Sequence, residues 1–308
     1  MEPRHLDPPR WSIPLMLVLL VAACGGGAVG STVSSAPTPS PPGATGTAVA
    51  TPSPSAIATP EPTPAVTVHQ LSFDLDGDTR PVPVYVPEPA PAERVPLVVF
   101  LHAAGDTPEI AVRDTRFDRL AGSEGFIAAF PPAANRAWDV QVTPGLSDGP
   151  TDERWIAALI DHLLDAFPVD ASRVYVAGFS FGAVMADRLA CQHADRLAAV
   201  AVVSGATWIG AACSPSRPVS MLIIHGTADS TFGLGGGRQL ADAWLAIDRC
   251  APPGTPAPIG DGVERLESGG CADGTAVRFI SVAGGWHTWF TEPDATQLAW
   301  EFFAEHRR

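Results

Sequence analysis

Gly178-Phe179-Ser180-Phe181-Gly182 is the segment that most restricts what this chain can fold into. It follows the apolar run Val174 to Ala177 and precedes a helix-like stretch, Ala183 to Cys191, so a G-x-S-x-G stands between a strand and a helix. A serine hydroxyl is a weak nucleophile at neutral pH. To react it must be raised on a strained turn, reached by a base and faced by amide donors. Glycines at both ends allow the strand and helix backbones to approach closely, while the serine occupies a sparsely populated conformation. With 29 glycines in the chain, such a pentapeptide arises easily by chance, so its weight depends on what surrounds it.

Its surroundings supply the missing partners. Ser220 to Ile224 is a short apolar strand candidate that runs into His225-Gly226-Thr227-Ala228-Asp229, placing Asp229 on the following loop. Val277 to Val282 is another, and Ala283-Gly284-Gly285-Trp286 then deliver His287. The order Ser180, Asp229, His287, each after a strand, is that of the α/β-hydrolases. A developing oxyanion needs one amide from the residue after the nucleophile and another from the loop after an earlier central strand. Val95 to Leu101 is the most apolar strand candidate and ends in His102-Ala103-Ala104-Gly105-Asp106. The expected donors are therefore the N–H of Phe181 and that of Ala103 or Ala104. His102 and His225, at strand ends, are expected to orient loops.

The remaining elements alternate. A hairpin is predicted from Val66 to Leu75 and Thr79 to Val86 around Asp76-Gly77, then the strand 95–101, a helix over about 109–123, and the strand Phe126 to Phe130. A long loop, 131–149, leads to the helix Asp152 to Phe167 and the strand Arg173 to Gly178. After the helix that follows Ser180 come strands at 198–204 and 220–224, a helix over about 236–250, the strand 277–282 and a terminal helix, Asp294 to His306. Alternation of this kind predicts a mostly parallel sheet with helices on both faces and a site at the carboxyl ends of the strands. Short connections after the later strands leave no place for a large lid domain, so bulky or polymeric substrates would have access.

The first residues are charged and Pro-rich and lead into an apolar stretch, Ile13 to Ala23, too short to span a bilayer comfortably. Val21-Ala22-Ala23-Cys24 resembles a bacterial lipobox, in which the cysteine is lipidated; residues 1–24 are thus expected to be an export signal and Cys24 an anchor, the protein's contact with a membrane, the alternative being an ordinary cleaved secretory signal with Cys24 incidental and an extracellular protein. Residues 25–65 are mostly Ala, Gly, Ser, Thr and Pro, with Val29, Val33, Val49 and Ile57 as their larger apolar residues and no charge before Glu61, the composition of a tether. Residues 66–308 suit one domain. A formal net charge of -14, with every one of the 19 cations an arginine, argues against nucleic acid as a partner. Cys191, Cys213, Cys250 and Cys271 suggest two disulfides in an exported domain, with three possible connectivities. Local pairing, Cys191 with Cys213 and Cys250 with Cys271, is the most economical. Their separations rule out a CxxC zinc site, and no metal or cofactor is expected.

Val169-Asp170-x-Ser172-Arg173-Val174-Tyr175-Val176-Ala177-Gly178-Phe179-Ser180, with Met185-Ala-Asp-Arg-Leu-Ala-Cys191 after it, resembles the secreted polyhydroxybutyrate depolymerase and feruloyl esterase family, a carbohydrate esterase family 1-like group. His225 to Asp229, Gly284 to Trp289 and Leu101-His102 resemble that family's acid, histidine and oxyanion blocks, so the resemblance spans about residues 70–305. It implies a serine esterase acting through Ser180, Asp229 and His287 on hydroxyalkanoate, feruloyl or acetyl esters. It also implies that Trp138 and Trp289 are aromatic positions near the cleft, able to stack on substrate; Trp286 and His102 join them as candidate substrate contacts. Phe181, Ala183, Ala103-Ala104 and Trp286 depart from the family's usual residues, and they bear on substrate more than on reaction. A serine exopeptidase on the same fold and a non-catalytic envelope lipoprotein are the alternatives; an anionic pair for a peptide amine is not evident, and the intact triad opposes the second.

Overall fold

The computed structural model describes residues 65–140, 151–207 and 213–308; the expected signal with Cys24, the tether up to residue 64 and residues 141–149 of the long loop lie outside them. The chain opens with a hairpin, β1 (Ala65–Leu75) and β2 (Asp78–Glu88), paired in antiparallel register. Asp76 and Gly77 take positive φ at its turn, the backbone that two-residue hairpins favour.

β3 (Val95–Leu101), β4 (Ile127–Ala129), β5 (Val169–Phe179), β6 (Ala199–Val203), β7 (Ser220–Gly226), β8 (Ala257–Gly260), β9 (Val263–Ser268) and β10 (Val277–Val282) complete a sheet ordered β1-β2-β4-β3-β5-β6-β7-β10-β9-β8. From β4 to β10 along that order the pairs are parallel, and antiparallel pairs close both edges. Period-two alternation splits each central strand between two cores: Leu97, Val99 and Leu101 of β3 enter one, Val98 and Phe100 the other. The first core is covered by α3 (Thr151–Ala166), α4 (Phe181–Gln192) and α5 (Gly233–Ile247), through rows such as Ile156, Leu159, Ile160 and Leu163 at helical spacing. The second is covered by α2 (Phe117–Glu124) and α6 (Ala295–Ala304), through Phe117, Phe302 and Phe303. Each such side chain contributes about 1.5–3 kcal/mol by leaving water. Burial on both faces accounts for the near-continuous apolar runs of the parallel strands.

One expectation is corrected and one hairpin is added to those predicted. The single helix over 109–123 is broken into α1 (Pro108–Thr115) and α2 by Arg116, at φ 56. The Thr115 hydroxyl turns back to donate to Ala111 O at 2.8 Å, Arg116 N–H caps α1 on Val112 O, and the break lets Phe117 be fully buried. The hairpin β8–β9 was not foreseen: β8, Ala-Pro-Ile-Gly, is exposed throughout and carries the punctuation of a loop, and it becomes a strand by pairing with β9 on the sheet edge. Disulfides join Cys191 to Cys213 and Cys250 to Cys271, the local pairing.

Candidate active site

Ser180 stands at the tip of β5 with φ 56 and ψ -120, a strained conformation for a residue with a Cβ, and its N–H is held by Val203 O at 3.1 Å. The flanking glycines make the turn possible. A Cβ on Gly178 would lie 2.3 Å from Gly182 O, and one on Gly182 would lie 2.0 Å from Leu101 O and 2.6 Å from His102 O. The β5–α4 turn is therefore pressed against the end of β3.

Asp229 follows β7 and His287 follows β10, neighbouring parallel strands whose outgoing loops are bound together. Thr227 N–H donates to Val282 O, Gly284 N–H to the Thr227 hydroxyl, and Ala228 N–H to Gly285 O, at 2.8–2.9 Å. The outcome is a relay: His287 Nδ1 lies 2.8 Å from Asp229 Oδ2, and His287 Nε2 lies 2.9 Å from Ser180 Oγ. Ser180 and Asp229 are buried, and the imidazole between them is a fifth exposed. The other Asp229 oxygen accepts Thr231 N–H at 2.8 Å and Phe232 N–H at 3.1 Å. Burial alone would raise the carboxyl's pKa; the His287 hydrogen bond and these two amides outweigh it, and the group sits below its ordinary value, ionised at neutral pH. His225 Nε2 lies 3.4 Å from Asp229 Oδ2 in full burial, which lowers the pKa of its imidazole and keeps it neutral.

Phe181 is the first residue of α4, where an N–H has no intrahelical acceptor. The loop after β3 turns at Ala103, whose carbonyl accepts Asp106 N–H at 3.1 Å; Ala103 is buried and Ala104 exposed. Ser180, Phe181, Asp229, His287 and this loop thus converge at the carboxyl edge of the sheet.

The aromatic positions divide sharply. Trp286 is 74% exposed beside His287, while Trp138 is 3% and Trp289 7% exposed. Trp138 spends its Nε1–H on His102 O at 2.7 Å, and Trp289 donates to the Thr296 hydroxyl at 3.0 Å while packing edge-on against Phe100. Trp138 therefore offers no stacking face to a ligand. His102 is buried too, with Nε2 accepting Ala133 N–H at 3.1 Å, which leaves the proton on Nδ1, 2.7 Å from Ala103 O. His102 and Trp289 nonetheless line a cavity of about 190 Å³ with Ala103, Asp106, Phe179 and Thr288. Phe181 packs edge-on against Phe232, and Phe232 edge-on against His287, so an aromatic rim borders the relay.

Sequence reasoning missed three supports of the site: Thr227, the Ser204 hydroxyl, which donates to Thr288 O at 3.0 Å, and the close approach of His225 to Asp229. Only the strand-end position of Thr227 hinted at its part. Among the described residues no group of His, Cys, Asp or Glu is arranged to hold a metal ion.

Known proteins agree with this architecture. An acetyl xylan esterase from Aspergillus awamori superposes with a TM-score of 0.63 at 20% identity, over 77% of this chain and 99% of that one. In sequence, feruloyl esterase D of Neurospora crassa is 31% identical over 60% of this chain and 63% of its own length. Feruloyl esterase C of Emericella nidulans is 32% identical over 60% and 66%. The chain thus spans somewhat less than two thirds of these relatives. A model of the family described as Esterase PHB depolymerase matches residues 81–285, from β2 to the edge of the histidine loop, and the chain belongs to that family.

Proposed function

We propose that this protein is an exported serine esterase that hydrolyses carboxylic esters through an acyl-enzyme. The observation that carries the reading is the unbroken relay from Ser180 Oγ to His287 to Asp229, at 2.9 and 2.8 Å. Ser180 attacks the ester carbonyl while His287 Nε2 takes its proton and then protonates the departing alcohol. Asp229 holds the Nδ1–H tautomer and stabilises the imidazolium. The N–H groups of Phe181 and of Ala103 or Ala104 receive the oxyanion. Water, activated by the same imidazole, releases the acid.

The substrates are esters of hydroxyalkanoate, feruloyl or acetyl groups, polymeric ones included. Support comes from the family, from relatives that carry the names feruloyl esterase and acetylxylan esterase, and from the cavity and exposed Trp286 beside the relay. Residues 1–24 direct export, Cys24 carries the lipid anchor and residues 25–65 tether the domain; two disulfides accord with an oxidising compartment.

The test is hydrolysis of p-nitrophenyl acetate and butyrate by the purified protein and by Ser180→Ala. Loss of nearly all activity in the variant is expected; equal rates would sink the reading. Methyl ferulate, acetylated xylan and hydroxybutyrate oligomers then divide the substrates, and aminoacyl p-nitroanilides test the exopeptidase alternative. Release of the protein from membranes by Cys24→Ser checks the anchor.

A further inference from the structure

Two consecutive carbonyls in the loop after β3 are held by buried side chains. Trp138 Nε1–H donates to His102 O, and the His102 Nδ1–H donates to Ala103 O, both at 2.7 Å. The Trp138 and His102 rings pack with centroids 4.9 Å apart, and Ala133 N–H holds the far edge of the imidazole, so that ring cannot turn without losing contacts on both edges. Peptide groups are planar and trans, with N–H directed opposite to C=O. Holding the His102 and Ala103 carbonyls therefore sets the directions of the Ala103 and Ala104 amides, the two candidates for the second oxyanion donor.

The segment that carries Trp138 is itself tied down from behind. Asp152 accepts Asp139 N–H at 2.8 Å and the Arg80 guanidinium at 2.6 Å, and Arg80 also donates to Pro132 O at 3.2 Å. On the near side Gly105 N–H donates to Arg136 O at 2.6 Å. A buried ion pair thus anchors one loop, which aims the next.

We propose that Trp138, acting through His102, is the positioning residue that pre-aims the oxyanion-stabilising amides of the loop after β3. The proposal rests on the ester-hydrolase reading above. Oxyanion donors are effective because they need no reorganisation when charge develops, and a loop free to rotate its peptides would lose that advantage.

Trp138→Phe removes the donor and keeps an aromatic ring in place. Its kcat is expected to fall by roughly tenfold to a hundredfold, with KM within about twofold, because the missing constraint acts on the developing charge. Affinity for an alkyl trifluoromethyl ketone, whose adduct with the serine carries the oxyanion, should weaken by the same factor as kcat/KM. His102→Asn, which can still donate near the Nδ1 position, should retain more activity than His102→Ala. A folded Trp138→Phe protein, judged by circular dichroism and melting, with unchanged kcat and ketone affinity overturns the proposal. If that variant does not fold, equal losses in His102→Asn and His102→Ala overturn it. Ser180→Ala measured in parallel separates the two failures: hydrolysis that persists there removes the esterase reading, and this proposal with it.

Discussion

The hydroxyl of Thr227 accepts the Gly284 amide at 2.8 Å and thereby binds the loop that carries Asp229 to the loop that carries His287. Thr227→Val keeps the shape and deletes the acceptor. Two backbone bonds still link the loops, so kcat/KM for p-nitrophenyl butyrate is expected to fall about threefold to tenfold, corresponding to about 1 kcal/mol. An unchanged kcat/KM would show that the backbone bonds alone hold the relay.

Gly182→Ala should be severe. The new methyl would lie 2.0 Å from Leu101 O, and the atom in its way is backbone, so the end of β3 must move and the loop of Ala103 with it. Overpacking of this kind costs about 1–3 kcal/mol of stability. Misplacing an oxyanion donor costs about a hundredfold or more in kcat. Chemical denaturation and steady-state kinetics on one preparation check both.

Stability should decline as pH rises toward and past neutrality because of Asp248. Burial pushes its carboxyl up to about 7 against the lowering contributions of Val219 N–H, the Thr275 hydroxyl and Arg217. Between its ordinary value near 3.8 and about 7 the folded state binds more protons there than the unfolded one, so the contribution is full below that window and is lost as pH climbs through it. Asp248→Asn should flatten the fall in melting temperature between about pH 5 and pH 8. An identical slope in both proteins would refute this.

Cys250 and Cys271, separated by 21 positions in the sequence, close a loop that contains the edge hairpin β8–β9. Replacing both by serine should cost about 2–4 kcal/mol in the denaturation midpoint. The relay lies on other loops, so kcat, measured where circular dichroism shows the variant folded, should change by no more than about twofold.

Trp286 is 74% exposed next to His287 and is free to meet substrate. Trp286→Ala should raise KM for methyl ferulate by about threefold to tenfold, with kcat for p-nitrophenyl acetate unaltered, since a stacked aromatic pair contributes about 0.5–1.5 kcal/mol. Equal KM values would assign substrate contact elsewhere.

The relay was legible because its cues are local. Ser180, Asp229 and His287 each follow an apolar strand by a few residues, and glycine marks each turn. The break at Arg116 was not legible, because helical periodicity runs through it and the gain comes from burying Phe117 against distant strands. The hairpin β8–β9 was hidden by Pro258 and Gly260, whose loop-like composition is overridden by backbone pairing at the sheet edge. The family resemblance implied a cleft role for Trp138, yet its indole faces inward to His102 O, 36 residues earlier in the chain.

The sequence by itself determined a mostly parallel sheet covered on both faces and the polar residues that stand at its strand ends, because strand alternation and turn chemistry depend on neighbours a few residues apart. Only the tertiary structure decided that Ser180, His287 and Asp229 meet at hydrogen-bonding distance, that Trp138 is buried while Trp286 is open, and which carbonyls orient the loop after β3. Those outcomes depend on contacts between segments tens of residues apart, and the packing of the whole sheet sets them.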